Sequence, residues 1–242
     1  MNAATENGIV LVGPPRRVTG RVPVALSKSV LVLASVTVGK ETTVYRATLR
    51  PTGTNSAELR LKLPADTPPG TYVGEATIDG DAHRLQVRVE PVVKISIEPK
   101  QSMLAATGSA PVEFGFVIAN EGNVPFTVPE TDTFDLDDGV AQDKALGRSL
   151  RTPLATGAHA IDAYFDQLRD AHGGEARVRV QSGAGPLVPG EHRQLRCVVD
   201  TPPTAKSGRS YVGSWQLGNT AHTVLVETRA TKGSSTVNGQ QR

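Results

Sequence analysis

The side chains that could act as acids, bases, nucleophiles or metal ligands are few and scattered along this chain. The five histidines are His83, His159, His172, His192 and His222. No two of them have the spacing of paired metal ligands. The chain contains no phosphate-binding loop, dinucleotide fingerprint, HExxH motif or nucleophile elbow. We therefore expect a protein that is not an enzyme and that requires neither a cofactor nor a metal.

One acidic run, TDTFDLDD (131–138), could bind a cation or a basic partner. Its aspartates are Asp132, Asp135, Asp137 and Asp138. Carboxylate oxygens are usual ligands of Ca²⁺, but the run lacks the regular ligand spacing and the closing Glu of an EF-hand. We interpret it as a solvated or partner-binding loop, with a calcium site as the alternative. The single cysteine, Cys197, alternates with Leu195 and Val199, which indicates a buried thiol.

Basic side chains occupy outward positions of alternating segments in the N-terminal part of the chain. They are Arg46, Arg60, Lys62, Arg84 and Arg88. The net charge of the whole chain is only +2, and aromatic residues make up 4%. This indicates no nucleic-acid partner, because backbone phosphates attract strong positive charge and bases stack on aromatic rings. Arg60, Lys62, Arg84 and Arg88 could bind an acidic partner or lipid headgroups, as in a peripheral contact with a membrane complex; protection of the sheet by charge is the interpretation that we favour.

Alternation of apolar and polar residues with a period of two dominates the chain and predicts strands. In AELRLKL (57–63), three leucines alternate with charged residues, and HRLQVRV (83–89) repeats the pattern. Such strands bury one face and expose the other, as in antiparallel sheets. Short strands separated by Gly- and Pro-rich turns predict β-sandwiches.

One segment of the chain occurs twice. PPGTYVGEATIDGDAH (68–83) matches SYVGSWQLGNTAH (210–222), and the match aligns Tyr72 with Tyr211. Each tyrosine stands where an immunoglobulin-like domain has its corner tyrosine, whose hydroxyl binds the neighbouring turn. The duplication therefore predicts two domains of the same kind.

Turn residues in both copies predict hairpins. Asp79-Gly80 and Gly218-Asn219 have the composition of two-residue hairpin loops. His83 and His222 follow these loops at corresponding positions. We expect both histidines on the exposed surface of a strand.

The resulting prediction is an all-β protein of two tandem immunoglobulin-like β-sandwich domains. The first spans residues 1–91, the second residues 92–230, and a flexible polar tail follows at 231–242. The second domain is longer, and its extra length lies in an insertion at about 130–174. Within it, AHAIDAYFDQLRDAH (158–172) has apolar residues at helical spacing. The structural interpretation, which we favour, is that this helix covers an open end of the sheet. The functional interpretation is that its Tyr164 and Phe165 bind a partner together with the acidic run.

The sequence predicts neither an export signal nor a membrane-spanning segment. The N-terminus, MNAATENGIVLVGPPRR, lacks the basic and apolar regions of a secretory signal. The apolar run at 29–39 is too short to cross a bilayer.

Three segments carry a family resemblance. They are LKLPADTPPGTYVGEATIDG (61–80), VIANEGNVPFTV (117–128) and LVPGEHRQLRCVVDTPPTAKSGRSYVG (187–213). These segments resemble bacterial immunoglobulin-like repeats of the NEW3 or CARDB kind. The resemblance implies a spacer, adhesive or accessory module located in the periplasm or outside the cell.

These patterns together indicate a non-enzymatic structural or accessory subunit. We expect it to bind other proteins within a larger assembly, such as a membrane complex, a surface layer or a particle. A carbohydrate-binding or hydrolase-accessory module is the alternative. Glycan platforms need exposed aromatic rings, however, and Trp215 is the one tryptophan of the chain.

Overall fold

The computed structural model describes residues 8–108, 110–138, 145, 147, 149–150 and 159–229. The chain divides into two compact units. Unit 1 consists of Met1–Ile95, Ala119–Phe126 and Leu187–Glu191. Unit 2 consists of Ser96–Ile118, Thr127–Pro186 and His192–Arg242. The predicted tail, 231–242, lies outside the described residues.

Among the described residues, the main sheet of unit 1 is built from seven strands. They are β1 (Ile9–Gly13), β2 (Val18–Val22), β3 (Val30–Val38), β4 (Glu41–Gly53), β5 (Ser56–Leu61), β6 (Gly70–Ile78) and β7 (Asp81–Val89). A 3-10 turn, Pro15–Arg17, joins β1 to β2. The hydrogen-bonded order is β1-β2-β5-β4-β3-β6-β7, and the sheet closes on itself as a barrel.

This order is that of the immunoglobulin fold, in which strands A, B, E and D form one sheet and C, F and G form the other. The two sheets are not separate here, contrary to the predicted sandwich. The hairpin of β3 and β4 pairs strand C with strand D over nine residue pairs, from Val30 beside Leu49 to Val38 beside Glu41. Strands β1 and β7 pair in parallel, from Ile9 beside Leu85 to Gly13 beside Val89, and this closes the barrel.

The alternation in the sequence marks the interior of unit 1. In β5, Ala57, Leu59 and Leu61 are fully buried, while the residues between them are half-buried. In β7, the predicted inward residues Leu85, Val87 and Val89 are buried as well. Burying each of these leucine or valine side chains stabilises the fold by roughly 1.5–3 kcal/mol.

Unit 2 contains most of a second, eight-stranded sheet. Ten more strands follow in the chain: β8 (Ile95–Glu98), β9 (Gln101–Thr107), β10 (Val112–Asn120), β11 (Phe126–Val128), β12 (Thr131–Asp137), β13 (His172–Ser182), β14 (Gly185–Leu187), β15 (His192–Asp200), β16 (Ser210–Leu217) and β17 (Thr220–Arg229). The large sheet has the order β8-β10-β15-β13-β12-β16-β17-β9, and β11 pairs with β14.

The order of this sheet matches that of unit 1 strand for strand, with one difference at the first strand. In unit 1, β1 pairs with both β2 and β7. In the second sheet this position is divided: β8 lies beside β10, and β9 lies parallel to β17. Because two separate strands occupy the two ends, the sheet stays open.

The duplicated segment has the predicted local structure in both copies. The hydroxyl of Tyr72 donates a 2.7 Å hydrogen bond to the carbonyl of Pro68, and that of Tyr211 accepts a 2.9 Å bond from the N–H of Lys206. The hairpin turns at Asp79-Gly80 and Gly218-Asn219 are confirmed, with positive φ at Asp79, Gly80 and Gly218.

Two glycines of the duplicated segment allow close contact between strands. A Cβ at Gly74 on β6 would overlap the backbone carbonyl of Ser35 on β3. A Cβ at the corresponding Gly213 on β16 would overlap the ring of Phe134 on β12. Each glycine therefore sets the spacing between strand F and strand C of its unit.

The insertion of unit 2 is shorter than expected. The predicted boundaries, about 130–174, include β12, whose Phe134 and Leu136 are buried in the sheet. The helix predicted at 158–172 is present as α1 (Ala160–Ala171), and β13 begins directly after it. The extra residues thus lie between β12 and β13. Within the described part of the chain, no helix is long and apolar enough to cross a membrane.

Candidate partner-binding surface

Helix α1 has a defined start and end. The backbone N–H of His159, which precedes the helix, donates to the carboxylate of Asp162 at 3.3 Å. At the other end, the N–H of His172 bonds to the carbonyl of Leu168. Both contacts satisfy backbone groups that a helix terminus leaves without an intrahelical partner.

Two basic side chains hold the C-terminal end of α1. Asp170 forms ion pairs with Lys206 and with Arg209, the latter at 2.8 Å. Arg209 also donates a 2.9 Å hydrogen bond to the backbone carbonyl of Asp170. Hydrogen bonds from Lys206 and then Arg209 lower the pKa of Asp170 to about 2. We call these three residues the helix clamp.

The apolar side of α1 is only partly covered. Tyr164 and Leu168 are half-buried and Ala171 is buried. Ile161 and Phe165, one turn apart, are each 54% exposed. The rings of Tyr164 and Phe165 lie 5.8 Å apart and are tilted by 53°. The helix therefore presents an exposed apolar pair beside a half-buried tyrosine.

The acidic run is a strand and not the loop that we expected. Strand β12 alternates strictly, with Phe134 and Leu136 inside and Thr133 and Asp135 outside. This alternation was visible in the sequence, but the high density of aspartates favoured a solvated loop. Successive side chains of a strand point to opposite faces of the sheet, so the four aspartates do not share one surface.

Each aspartate of the run has its own surroundings. The carboxylate of Asp132 accepts a 3.0 Å bond from the indole N–H of Trp215 and a 2.9 Å bond from the N–H of Thr133. Asp137 lies 3.3 Å from Nδ1 of His172, and the N–H of Asp138 donates to the carbonyl of Ala171. Asp135 is exposed. Asp132 is thus part of the interior network of unit 2.

The predicted basic residues of unit 1 are distributed around the barrel. Arg84 and Arg88 are exposed on β7, and Arg84 lies opposite Glu75. Arg60 on β5 pairs with Glu58 at 3.2 Å, and Lys62 follows the end of that strand. Strands β5 and β7 are separated by β2 and β1 in the sheet order. The members of each pair therefore lie on the same side of one stretch of chain, but the two pairs do not form one continuous surface.

His222 occupies a position that sequence reasoning missed. It is fully buried, whereas we expected it to be exposed like His83, which is half-buried. Its ring stacks on that of Phe116 at 4.3 Å, and its Nε2 lies 3.0 Å from the hydroxyl of Ser102. Burial lowers the pKa of His222, and the nearby Pro99 carbonyl partly offsets this. The alternating phenylalanines of β10 are the feature of the sequence that could have indicated this buried aromatic cluster.

Cys197 is buried as predicted, and its burial raises the pKa of the thiol to about 12. Among the described residues, no group of three or more His, Cys, Asp or Glu side chains is placed to hold a metal ion.

The comparisons with known proteins give remote similarities. No family model matches the chain, and no curated protein matches it. Among solved structures, it is similar to a protein of unknown function from Porphyromonas gingivalis W83, at 13% identity and a TM-score of 0.27 over 92% of this chain and 96% of that one. A titin fragment matches at 10% identity and a TM-score of 0.32, over 93% and 96% of the two chains. The Yersinia pseudotuberculosis adhesin InvE matches at 9% identity and 0.27, over 92% and 58%. Superpositions at this level establish neither a family nor a function.

Proposed function

We propose that this protein is a non-enzymatic structural or accessory subunit that binds another protein within a larger assembly. The main support is one observation. Helix α1 exposes Ile161 and Phe165 by 54% each, while the helix clamp holds the end of the same helix.

An ordered helix with exposed apolar side chains is a favourable protein-binding element. Aromatic anchors contribute much of the energy of protein interfaces, because they bury a large area in a pocket of the partner. A helix that is already fixed loses little conformational entropy on binding. Phe165, supported by the neighbouring ring of Tyr164, fits the role of such an anchor.

The charges beside the apolar pair indicate what the partner presents. Asp162 and Asp166 are exposed and each follows one of the two apolar residues along the helix. A partner with an apolar pocket and a basic rim would match this surface, since opposite charges at the rim speed association and select the partner. Arg60, Lys62, Arg84 and Arg88 contribute less to the proposal, because they lie apart on the barrel.

The domain organisation and the cellular location belong to the same proposal. We infer two tandem immunoglobulin-like domains of the NEW3 or CARDB kind, with a boundary near Pro91 and a periplasmic or extracellular location. The strand order and the two corner tyrosines support the immunoglobulin-like assignment. The alternative, a carbohydrate-binding module, has less support, because Trp215 is fully buried.

The test compares three full-length proteins used as bait in extracts of the native source. They are the wild type, the double variant Ile161→Ala with Phe165→Ala, and Val73→Ala. Val73 is 66% exposed on β6 of unit 1, so this variant is a matched control for the loss of an exposed apolar side chain. Partners retained by the wild type and by Val73→Ala, but not by the double variant, are then purified and titrated.

We expect the double variant to bind such a partner at least about tenfold more weakly, because truncating an interface anchor costs more than 1 kcal/mol. The control should bind as the wild type does. Equal binding by all three proteins would exclude α1 as the binding surface. Specific binding of soluble oligosaccharides that depends on Phe165 would favour the carbohydrate-binding alternative.

A further inference from the structure

Strand β9 is an edge strand of the large sheet of unit 2. Among the described residues it pairs with β17 alone, in parallel, from Gln101 beside Thr223 to Thr107 beside Arg229. The carbonyl of Lys100 accepts a 2.9 Å bond from the N–H of Thr223.

The register determines which backbone groups are free. Backbone N–H and C=O groups alternate between the two sides of a strand, residue by residue. Since Lys100 faces β17, the even-numbered residues of β9 face β17 as well. Gln101, Met103 and Ala105 therefore direct their N–H and C=O groups away from the sheet. These three residues are the free edge of β9.

The free edge has none of the features that normally protect a sheet edge. Charged side chains, proline, bulges and short length prevent edge-to-edge pairing in natural proteins. Strand β9, QSMLAAT, has seven residues and contains no charge, proline or glycine. Met103 is 70% exposed.

The opposite edge of the same sheet and the corresponding strand of unit 1 are both protected. At the opposite end of the same sheet, β8 has only four residues, ends in Glu98 and is followed by Pro99. In unit 1, β1 occupies the position that corresponds to β9, and both of its sides are paired. Among the described strands of the barrel and the large sheet, an unprotected edge is therefore particular to β9.

We propose that β9 pairs with β9 of a second copy of this chain, in antiparallel orientation, across a twofold axis at Met103. The free groups are arranged symmetrically about this residue, so that Gln101 of each copy meets Ala105 of the other. The pairing would form about six backbone hydrogen bonds, two for each pair of facing residues. Because the edge is uncharged, no like charges meet across the axis.

This surface is separate from the one proposed for partner binding. The free edge is built from residues of β9, whereas the proposed anchors are Ile161 and Phe165 on α1. Self-association and partner binding can therefore be tested with different substitutions, and failure of one leaves the other standing.

Sedimentation velocity on the full chain, from micromolar to near-millimolar concentration, tests the proposal. We expect a reversible, concentration-dependent dimer of the wild type. Met103→Lys places two like charges at the axis and should weaken the dimer by up to about fivefold. Leu31→Lys is the matched control, because Leu31 is an apolar side chain of nearly the same exposure, 71%, on the closed barrel of unit 1. It should leave dimerisation unchanged.

Hydrogen exchange of the wild type provides a second measurement that needs no substitution. The amides of Met103 and Ala105 should exchange more slowly as the concentration rises, whereas amides of β8 should not change. A wild type that stays monomeric throughout, equal dimerisation of the two lysine variants, or protection confined to another surface would each overturn the proposal.

Discussion

The indole N–H of Trp215 on β16 donates a 3.0 Å hydrogen bond to the carboxylate of Asp132 on β12. Trp215 is fully buried, and its ring meets that of Phe116 edge to face at 5.8 Å. An acidic side chain that we first assigned to a partner thus serves the interior of unit 2. It satisfies a donor that would otherwise be buried without a partner.

Asp132→Ala should destabilise unit 2 by about 1–3 kcal/mol, because it leaves the buried indole N–H without an acceptor. Asp135→Ala is the matched control on the same strand, where the side chain is exposed. Since Trp215 is the one tryptophan, its fluorescence during urea unfolding reports on unit 2. Equal midpoints for the two variants would show that the bond contributes nothing measurable.

Tyr211→Phe should destabilise unit 2 by about 1 kcal/mol, a typical net value for one hydrogen bond. The phenol of Tyr211 is buried, and its oxygen accepts the N–H of Lys206. Tyr72→Phe should cost unit 1 less, because the Tyr72 bond to Pro68 is exposed and water can replace it. Amide exchange of each unit measures both effects. A larger loss in unit 1 would contradict this ranking.

Unit 2 should lose stability in mild acid because of His222. Burial lowers the pKa of His222 in the folded state, so the unfolded chain takes up its proton first. The stabilisation is fully present above the unfolded pKa of about 6.5 and decreases as the pH falls from there toward the folded value. Urea midpoints detected by tryptophan fluorescence, measured from about pH 7.5 to about pH 5, bracket the unfolded pKa and give the change of stability with pH.

The control for this slope is the double variant His222→Phe with Ser102→Ala. It keeps an aromatic ring against Phe116 and removes both the titrating group and the hydroxyl that faces it. Its midpoint should change less with pH in this range. An unchanged slope would assign the acid sensitivity to other groups.

Asp170→Asn should release the end of α1 without unfolding the sheet. The variant removes the charge that pairs with Lys206 and Arg209, and all three groups are at least partly exposed. Amides of α1 should exchange faster, whereas those of β16 and β17 should not. Because the clamp lowers the pKa of Asp170 from an ordinary 3.8 to about 2, its stabilisation should be fully present above the ordinary value and be lost progressively as the pH falls from there through the lowered one. Faster exchange throughout unit 2 would instead make the clamp part of the core.

Local patterns predicted much of this fold. Alternation identified the inward residues of β5 and β7, and turn composition identified the hairpin loops that follow β6 and β16. The helix was predicted to within two residues at each end. All of these depend on neighbours in the sequence, where periodicity and turn chemistry act directly.

Relationships between distant residues were not predictable in the same way. The parallel pairing of β1 with β7, which closes the barrel, joins residues 76 positions apart, such as Ile9 and Leu85, and leaves no mark on either strand alone. His222 was placed by analogy with His83, but its burial depends on the rings of β10. Strand β12 was misread because charge density was given more weight than the alternation of Phe134 and Leu136.

The parallel pairing of the first and last strands also determines how unit 1 responds to tension. Pulling the chain before β1 and after β7 in opposite directions acts along both strands. The five residue pairs from Ile9–Leu85 to Gly13–Val89 then bear the force together in shear, and do not open one at a time. In unit 2, the seven pairs of β9 and β17 have the same geometry. In this geometry each unit therefore resists stretching between its first and last strands.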